Sequence, residues 1–314
     1  MGKIKVGVVG VGYFGQFHAA KYAGMEEVEL VGVVDVDSTR AGEIAQKNRT
    51  RPFSHHSDLF GKIQAVSIAV PTPLHYSIAR DFFLKRIHVL LEKPIASTLQ
   101  ESNELIELAE MKGLVLQVGH LERFNGVLQA LNGLVRNPFF IESHRMGPFP
   151  GRETDINVVL DLMVHDIDIV LTLVNSEVKQ IHAFGIPVLT RHLDMANARI
   201  VFENGSTANL TVSRVSAEKV RRTRIFQPDG TLSIDYVSQT VTFSRKRVPE
   251  GKKGPPEMVT EEIPVKKVDL LEAEIDSFLG SVRNRTKARV SGWDGKRALE
   301  VALQIVQKIE KKKR

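Results

Sequence analysis

Asp161, His165, Asp168 and Thr172 fall at i, i+4, i+7 and i+11, a polar stripe along an otherwise apolar stretch (Val158, Val159, Leu160, Leu162, Met163, Val164, Ile167, Ile169, Val170 and Leu171). That pattern predicts a buried helix over 158–173. Buried carboxylates and imidazoles each cost several kcal/mol unless paired, so the stripe marks a reaction site, a satisfied internal network or a set of metal ligands. Asp161 stands one turn before His165. It can accept an imidazole N–H, fix the tautomer and raise the ring's basicity, as a general base requires. No HExxH or comparable ligand spacing accompanies the stripe, and we assign no metal.

A second set is Glu92-Lys93-Pro94, which closes an apolar run over 87–91. Charges at the carboxyl end of a buried strand must be desolvated or paired. A lysine there can hold a substrate hydroxyl and help move its proton; a surface ion pair is the other reading. Pro94 fixes the turn and admits a cis peptide.

A third set is Gly10-Val11-Gly12-Tyr13-Phe14-Gly15. With 23 Gly in 314 residues, this glycine spacing arises by chance roughly 0.1 times per chain. Its context is more telling. It follows an apolar run (Ile4, Val6, Val8, Val9), opens a helix to about Gly24, and precedes a second run, 28–34, that ends on Asp35. This is the layout of a dinucleotide site. Gly10 permits the sharp turn, Gly12 lets backbone approach a pyrophosphate, and Gly15 lets helix and strand pack closely. Asp35 can accept from the ribose hydroxyls and would repel a 2′-phosphate, which favours NAD over NADP; Arg40 softens that preference. A tight turn without ligand is the alternative. The expected cofactor contacts are Gly10, Gly12, Tyr13, Phe14, Gly15, Asp35, Glu92 and Lys93. Thr72 or His75, in the loop after a strand over 65–70, joins them, though Thr72 could equally cap a helix.

The elements that position these sets read as an α/β chain. Strands over 4–9, 28–34, 65–70, 87–91 and 114–118 alternate with helices, including 38–47 and 98–112, as in a doubly wound parallel sheet. A helix from Gly119 to about Val135 follows. Later strands alternate cleanly: Ala196, Ala198, Ile200 and Phe202 share a face, Asn204-Gly205 turns, and Ala208, Leu210 and Val212 continue that face. Further strands over 223–226, 231–236 and 241–246 predict a mostly antiparallel sheet backed by helices. The last helix, 296–308, is amphipathic and reads as core. We place a dinucleotide-binding domain at 1–120 and an α+β domain at 121–314.

The three glycines, Thr72-Pro73 and Glu92-Lys93-Pro94 together resemble the glucose-fructose oxidoreductase/inositol dehydrogenase (Gfo/Idh/MocA) family, and Asp161 with His165 matches its Asp-x-x-x-His. The resemblance covers nearly the whole chain. It implies an NAD-dependent oxidation of a secondary alcohol on a sugar, with Lys93, His165 and Asp161 catalytic and Arg123, Asn125, Asp161 and His165 at the substrate. The string Gly119 to Asn125 is similar to the branch that acts on UDP-N-acetylglucosamine at its 3-hydroxyl. A free sugar or polyol such as myo-inositol is the alternative substrate, and a non-catalytic sugar-nucleotide sensor the alternative role. Family members pair the open face of such a sheet, which implies a homodimer or homotetramer.

Composition narrows the rest. There is no cysteine, which removes disulfides and thiolate chemistry and fits a cytoplasmic protein. No apolar run is long enough for a membrane span, and strand residues begin at Ile4, leaving no room for a signal peptide. The formal net charge is +6, of which Lys311-Lys312-Lys313-Arg314 supply four, so a nucleic-acid partner is not expected. Arg214, Lys219, Arg221, Arg222 and Arg224 form a basic cluster, and Arg245 to Lys253 a second; most read as solvated, with one or two available to a substrate diphosphate.

Overall fold

The computed structural model describes residues 2–149, 156–247 and 257–311. The chain divides into two compact units, Met1–Leu121 with Asp269–Leu299, and Glu122–Val268 with Glu300–Arg314.

The first unit carries a six-stranded parallel sheet. Its strands are β1 (Ile4–Val9), β2 (Val28–Val34), β3 (Arg51–Phe53), β4 (Ala65–Ile68), β5 (His88–Glu92) and β6 (Leu116–Gly119), in the order β3-β2-β1-β4-β5-β6. Helices α1 (Gly15–Gly24), α2 (Ser38–Lys47), α3 (His75–Leu84) and α4 (Leu99–Lys112) connect them. The order reverses direction beside β1, the topological switch where such sheets bind ligands. Thr98 and Glu101 close a capping box on α4, which sets that helix's start sharply.

The single boundary expected at 120/121 does not describe the whole chain, because Asp269–Leu299 returns to the first unit. The segment holds α7 (Leu270–Asn284), whose Ile275, Phe278 and Leu279 lie in one core with Val6, Val8, Ala19, Tyr22 and Val33. Apolar residues at i, i+3 and i+4 bury that face. Asp269 caps the helix by accepting from the Glu272 N–H.

The second unit opens with a 3-10 turn (Leu121–Phe124) and a short α5 (Gly126–Ala130), not the continuous helix expected to Val135. Asn125 takes an extended backbone between them and caps α5. At Gly126 a Cβ would collide with the Lys266 carbonyl, so only glycine fits. The eight-stranded sheet runs β14-β13-β12-β11-β7-β10-β9-β8. Its strands are β7 (Phe140–Met146), β8 (Val178–Ile186), β9 (Met195–Phe202), β10 (Thr207–Ser213), β11 (Val220–Gln227), β12 (Gly230–Asp235), β13 (Thr240–Arg247) and β14 (Glu257–Ile263). Every pairing is antiparallel except β7 with β10. Gly205 makes the β9–β10 turn at φ 88°, as the Asn-Gly pair predicts. A π turn over Val159–Met163 leads into α6 (Val164–Val174), and α8 (Gly292–Lys311) contributes to both units. No helix of the described residues is long and apolar enough to cross a membrane.

Candidate active site

In the first unit the glycine turn has the shape its sequence requires. Gly10 holds φ 80°, and a Cβ there would lie 2.6 Å from the Ala69 carbonyl oxygen. A Cβ on Gly15 would run into the Gly10 carbonyl, so α1 reaches β1 only without one. Gly12 differs, since a Cβ there would meet open space. The fold itself therefore does not require glycine at this position, whereas a backbone that approaches a pyrophosphate would. Tyr13 and Phe14 are exposed and pack edge to face.

Asp35 ends β2 almost fully buried. One carboxylate oxygen accepts the Val11 N–H (2.9 Å) and the other the Asp37 N–H (3.0 Å), while Arg40 Nη1 lies 3.9 Å away. The same carboxylate that would meet a ribose therefore also holds the glycine turn, and each oxygen keeps a lone pair for a ligand. This donor and acceptor set fits a dinucleotide.

The loops after β4 and β5 brace one another. The His75 ring lies 2.9 Å from both the Pro94 and the Val70 carbonyl oxygens. Burial pushes its pKa down, although both carbonyls favour a ring N–H. The side chain is spent on backbone in the interior rather than turned toward a cofactor, which corrects its expected role. Thr72 begins a short 3-10 turn, and α3 starts at His75 with no side-chain cap, so the capping alternative for Thr72 falls away. The Lys93–Pro94 peptide is cis. Glu92 accepts from His18 Nε2 (3.1 Å) and from the Lys93 backbone N–H (3.3 Å). Burial alone would raise the Glu92 carboxyl; the hydrogen bond from His18 and the charge of Lys93 outweigh it and hold the group below its ordinary value.

In the second unit the expected helix over 158–173 is opened by the π turn. Asn157 starts it, its side chain accepting from the N–H groups of Val159 and Leu160 (both 3.1 Å). Such openings recur at functional sites because they change which residues share a face. Here the polar stripe divides. Asp161 and His165 are partly accessible to solvent, whereas Asp168 is buried with Arg123 Nη1 3.7 Å from it. Thr172 donates its hydroxyl to the Asp168 carbonyl of its own helix (2.8 Å). Asp161 and His165 are therefore the ionisable members of the stripe that remain open to solvent, though Thr172 is exposed on the same helix.

Beneath them lies a network the sequence reading missed. Arg145 on β7 is buried, reaches Asp166 of α6 through Nε (3.0 Å) and Nη2 (3.1 Å), and donates from Nη1 to Glu122 (3.0 Å). Burial would lower its pKa, but Asp166 and Glu122 raise it further, so it stays charged. Asp166 faces the sheet between His165 and Ile167, a position that single-residue inspection of an apolar run passes over. Asn125 is fully buried; it caps α5 and donates to Glu122 (3.1 Å) and the Tyr236 carbonyl (3.4 Å), a structural duty rather than the substrate contact expected. Arg214, expected in solvent, is buried against Asp194 (2.7 Å) and the Ile156 carbonyl (2.9 Å), fixing the approach to the π turn. Arg221 remains half exposed, 3.9 Å from Glu122. Residues 248–253 of the second basic stretch and 312–314 of the tail lie outside the described residues.

Comparison with known proteins gives two family matches. Residues 4–120 match an oxidoreductase family with an NAD-binding Rossmann fold, and residues 135–233 match a GFO/IDH/MocA C-terminal domain. The chain is 36% identical over 311 residues to a UDP-N-acetylglucosamine 3-dehydrogenase of Acidithiobacillus ferrooxidans, covering 98% of this chain and 97% of the relative. The solved structure of that enzyme superposes with a TM-score of 0.91 over 99% of both chains. A myo-inositol 2-dehydrogenase of Thermotoga maritima is 23% identical, covering 99% of this chain and 97% of that one. A scyllo-inositol dehydrogenase of Lactobacillus casei, solved with NAD(H) and scyllo-inositol, shares the fold at TM-score 0.83 and 21% identity, covering 99% of this chain and 98% of that one.

Proposed function

Since the chain belongs to the Gfo/Idh/MocA oxidoreductase family and binds a nicotinamide dinucleotide, we propose that it oxidises UDP-N-acetylglucosamine at the 3-hydroxyl, with NAD as hydride acceptor. The observation that carries the substrate is the likeness to the Acidithiobacillus enzyme, which extends through both units. Asp35 supports NAD, because its carboxylate disfavours a 2′-phosphate; Arg40 offsets part of that repulsion.

Gly10, Gly12 and Gly15 with Asp35 would hold the dinucleotide, whose nicotinamide supplies the hydride acceptor when bound. The protein's part is to orient the sugar and take its hydroxyl proton. Two groups can do so: Lys93, whose backbone is bonded to the Glu92 carboxylate, and His165, whose basicity Asp161 would raise. We assign His165 as the proton acceptor and Lys93 as the group that positions the hydroxyl and stabilises the developing alkoxide. We propose that Arg123 and Arg221 of the second unit meet polar groups of the substrate, and that the protein is a homodimer or homotetramer.

The test is NADH absorbance with NAD and UDP-N-acetylglucosamine, beside myo-inositol and free N-acetylglucosamine, with an amine acceptor to trap the oxo product. NADH with the nucleotide sugar alone is the expected result. NADH with inositol alone overturns the substrate, and none with any sugar favours a sensor.

A further inference from the structure

The first unit contains a buried cluster that hydride transfer does not use. His18 of α1, Glu92 of β5 and Glu274 of α7 offer ligand atoms that all lie within 4.8 Å of one another. The cluster has fewer donors than acceptors among the described residues. Glu92 accepts from the His18 ring and from the Lys93 N–H. Glu274 has none among the described residues, although it is 0% exposed. Gln117 of β6 spends its amide N–H on Glu274's own backbone carbonyl (2.9 Å), which leaves Gln117 Oε1 without a donor. With His18 donating from Nε2, its Nδ1 is a further buried acceptor without one. Among the described residues, four acceptor atoms of the chamber thus have no donor, two of them on one carboxyl group.

A carboxylate so placed does not stay charged. Burial penalises the anion, and a second carboxylate nearby penalises it again, so the pair retains one negative charge and one proton. Glu92 keeps the charge because it has the His18 donor, the Lys93 N–H and the positive field of Lys93. We propose that Glu274 is a neutral carboxylic acid at physiological pH, sharing the proton of the Glu92–Glu274 pair, and that it is a positioning residue for Lys93. The proton supplies the donor that the chamber lacks. It also fixes Glu92 as the single anion to which the Lys93 backbone is tied, while His75 braces the following Pro94 carbonyl. Burial first, and then the Glu92 charge, push the Glu274 carboxyl well above its ordinary range, in keeping with this assignment. The other groups facing the cluster are Tyr22 of α1, engaged with Ser67 of β4 at 2.7 Å, and His75. Neither gives Glu274 a donor.

The effect on turnover rests on the role given to Lys93 above; the proton itself does not, so the two fail separately. On the full-length protein, infrared spectroscopy should show a buried protonated-carboxyl stretch that is missing in Glu274→Gln. The glutamine variant should melt higher than wild type at neutral pH. The gap should open above the ordinary glutamate value of 4.5 and widen with pH, because wild type alone must keep a proton on folding. Glu274→Leu, which cannot donate, should lower kcat about tenfold with little change in KM for NAD, and the glutamine should restore most of it. If leucine prevents folding, the infrared band and the pH-dependent gap still decide. A melting temperature of Glu274→Gln below wild type, or one equivalent of zinc or manganese that is bound by wild type and lost in Glu274→Gln, would overturn the proposal. Either result would mean an ionised Glu274 balanced by a cation.

Discussion

Lys93 and His165 carry the proposed chemistry, and each can be tested by removing the group that holds or stabilises the proton. Lys93→Met and His165→Ala should each lower kcat about 100-fold, the usual size of an acid–base contribution, in the NADH assay with saturating cofactor. Near-normal turnover in both would sink the mechanism. Asp35 makes a separate prediction, because its oxygens serve both the fold and the ligand. Asp35→Ser should reduce the kcat/KM preference for NAD over NADP at least about tenfold, the worth of one charged hydrogen bond. At this scale the sequence was readable where a residue's type leaves one use. Gly10, Gly15 and Asp35 sit as their motif requires. His75 and Asn125 were misread, because imidazole and amide serve a backbone carbonyl or a helix end as readily as a ligand, and only the three-dimensional neighbours decide which.

Among the elements, the π turn carries Asp161, and α6 carries His165 with the buried Asp166 and Asp168. A strict 3.6-residue period puts Asp161, His165, Asp168 and Thr172 on one stripe; the wider turn at Val159–Met163 breaks that period between Asp161 and α6, and within α6 Asp168 is buried while His165 stays partly accessible, as Asp161 does. Nothing in side-chain periodicity announces such a turn. The same holds for Arg145, which sits mid-strand on β7 and joins that strand to α6 and to the 3-10 turn through Asp166 and Glu122. Arg145→Met should cost about 3–5 kcal/mol in urea unfolding, since it strands two buried carboxylates. Regular strands were legible where one face is clean, as along β9 and β10. Strand β14, Glu257–Ile263, was missed because both its faces are partly exposed and no apolar alternation marks it.

Across the whole molecule, buried acids should set the stability profile from both sides. Asp194 of the second unit feels burial, which would raise its pKa, but the Thr190 and Val188 N–H groups and Arg214 outweigh that and hold it far below its ordinary 3.8. A depressed carboxyl contributes stability that is present above 3.8 and lost as pH falls through the folded value. Glu274 is raised, so its contribution is present below 4.5 and lost as pH rises toward its folded value. Melting temperature should therefore decline on either side of a mildly acidic optimum, with Asp194→Asn flattening the acid limb alone. The two-unit plan was legible from the βα alternation and the later antiparallel run. The return of Asp269–Leu299 was not, because an amphipathic helix does not say which core it joins.

That return has a consequence for how the protein is made. A ribosome releases residues 1–121 long before α7 exists, so the dinucleotide-binding unit must wait, with the floor beneath Val6, Tyr22 and Val33 uncovered, while 147 intervening residues are synthesised (122 to 268). Until Glu274 arrives, His18 and Glu92 face water, and the Lys93 turn lacks part of its support. A fragment ending at residue 121 should aggregate or bind hydrophobic dyes, whereas 1–121 joined by a flexible linker to 269–299 should fold and take up NAD.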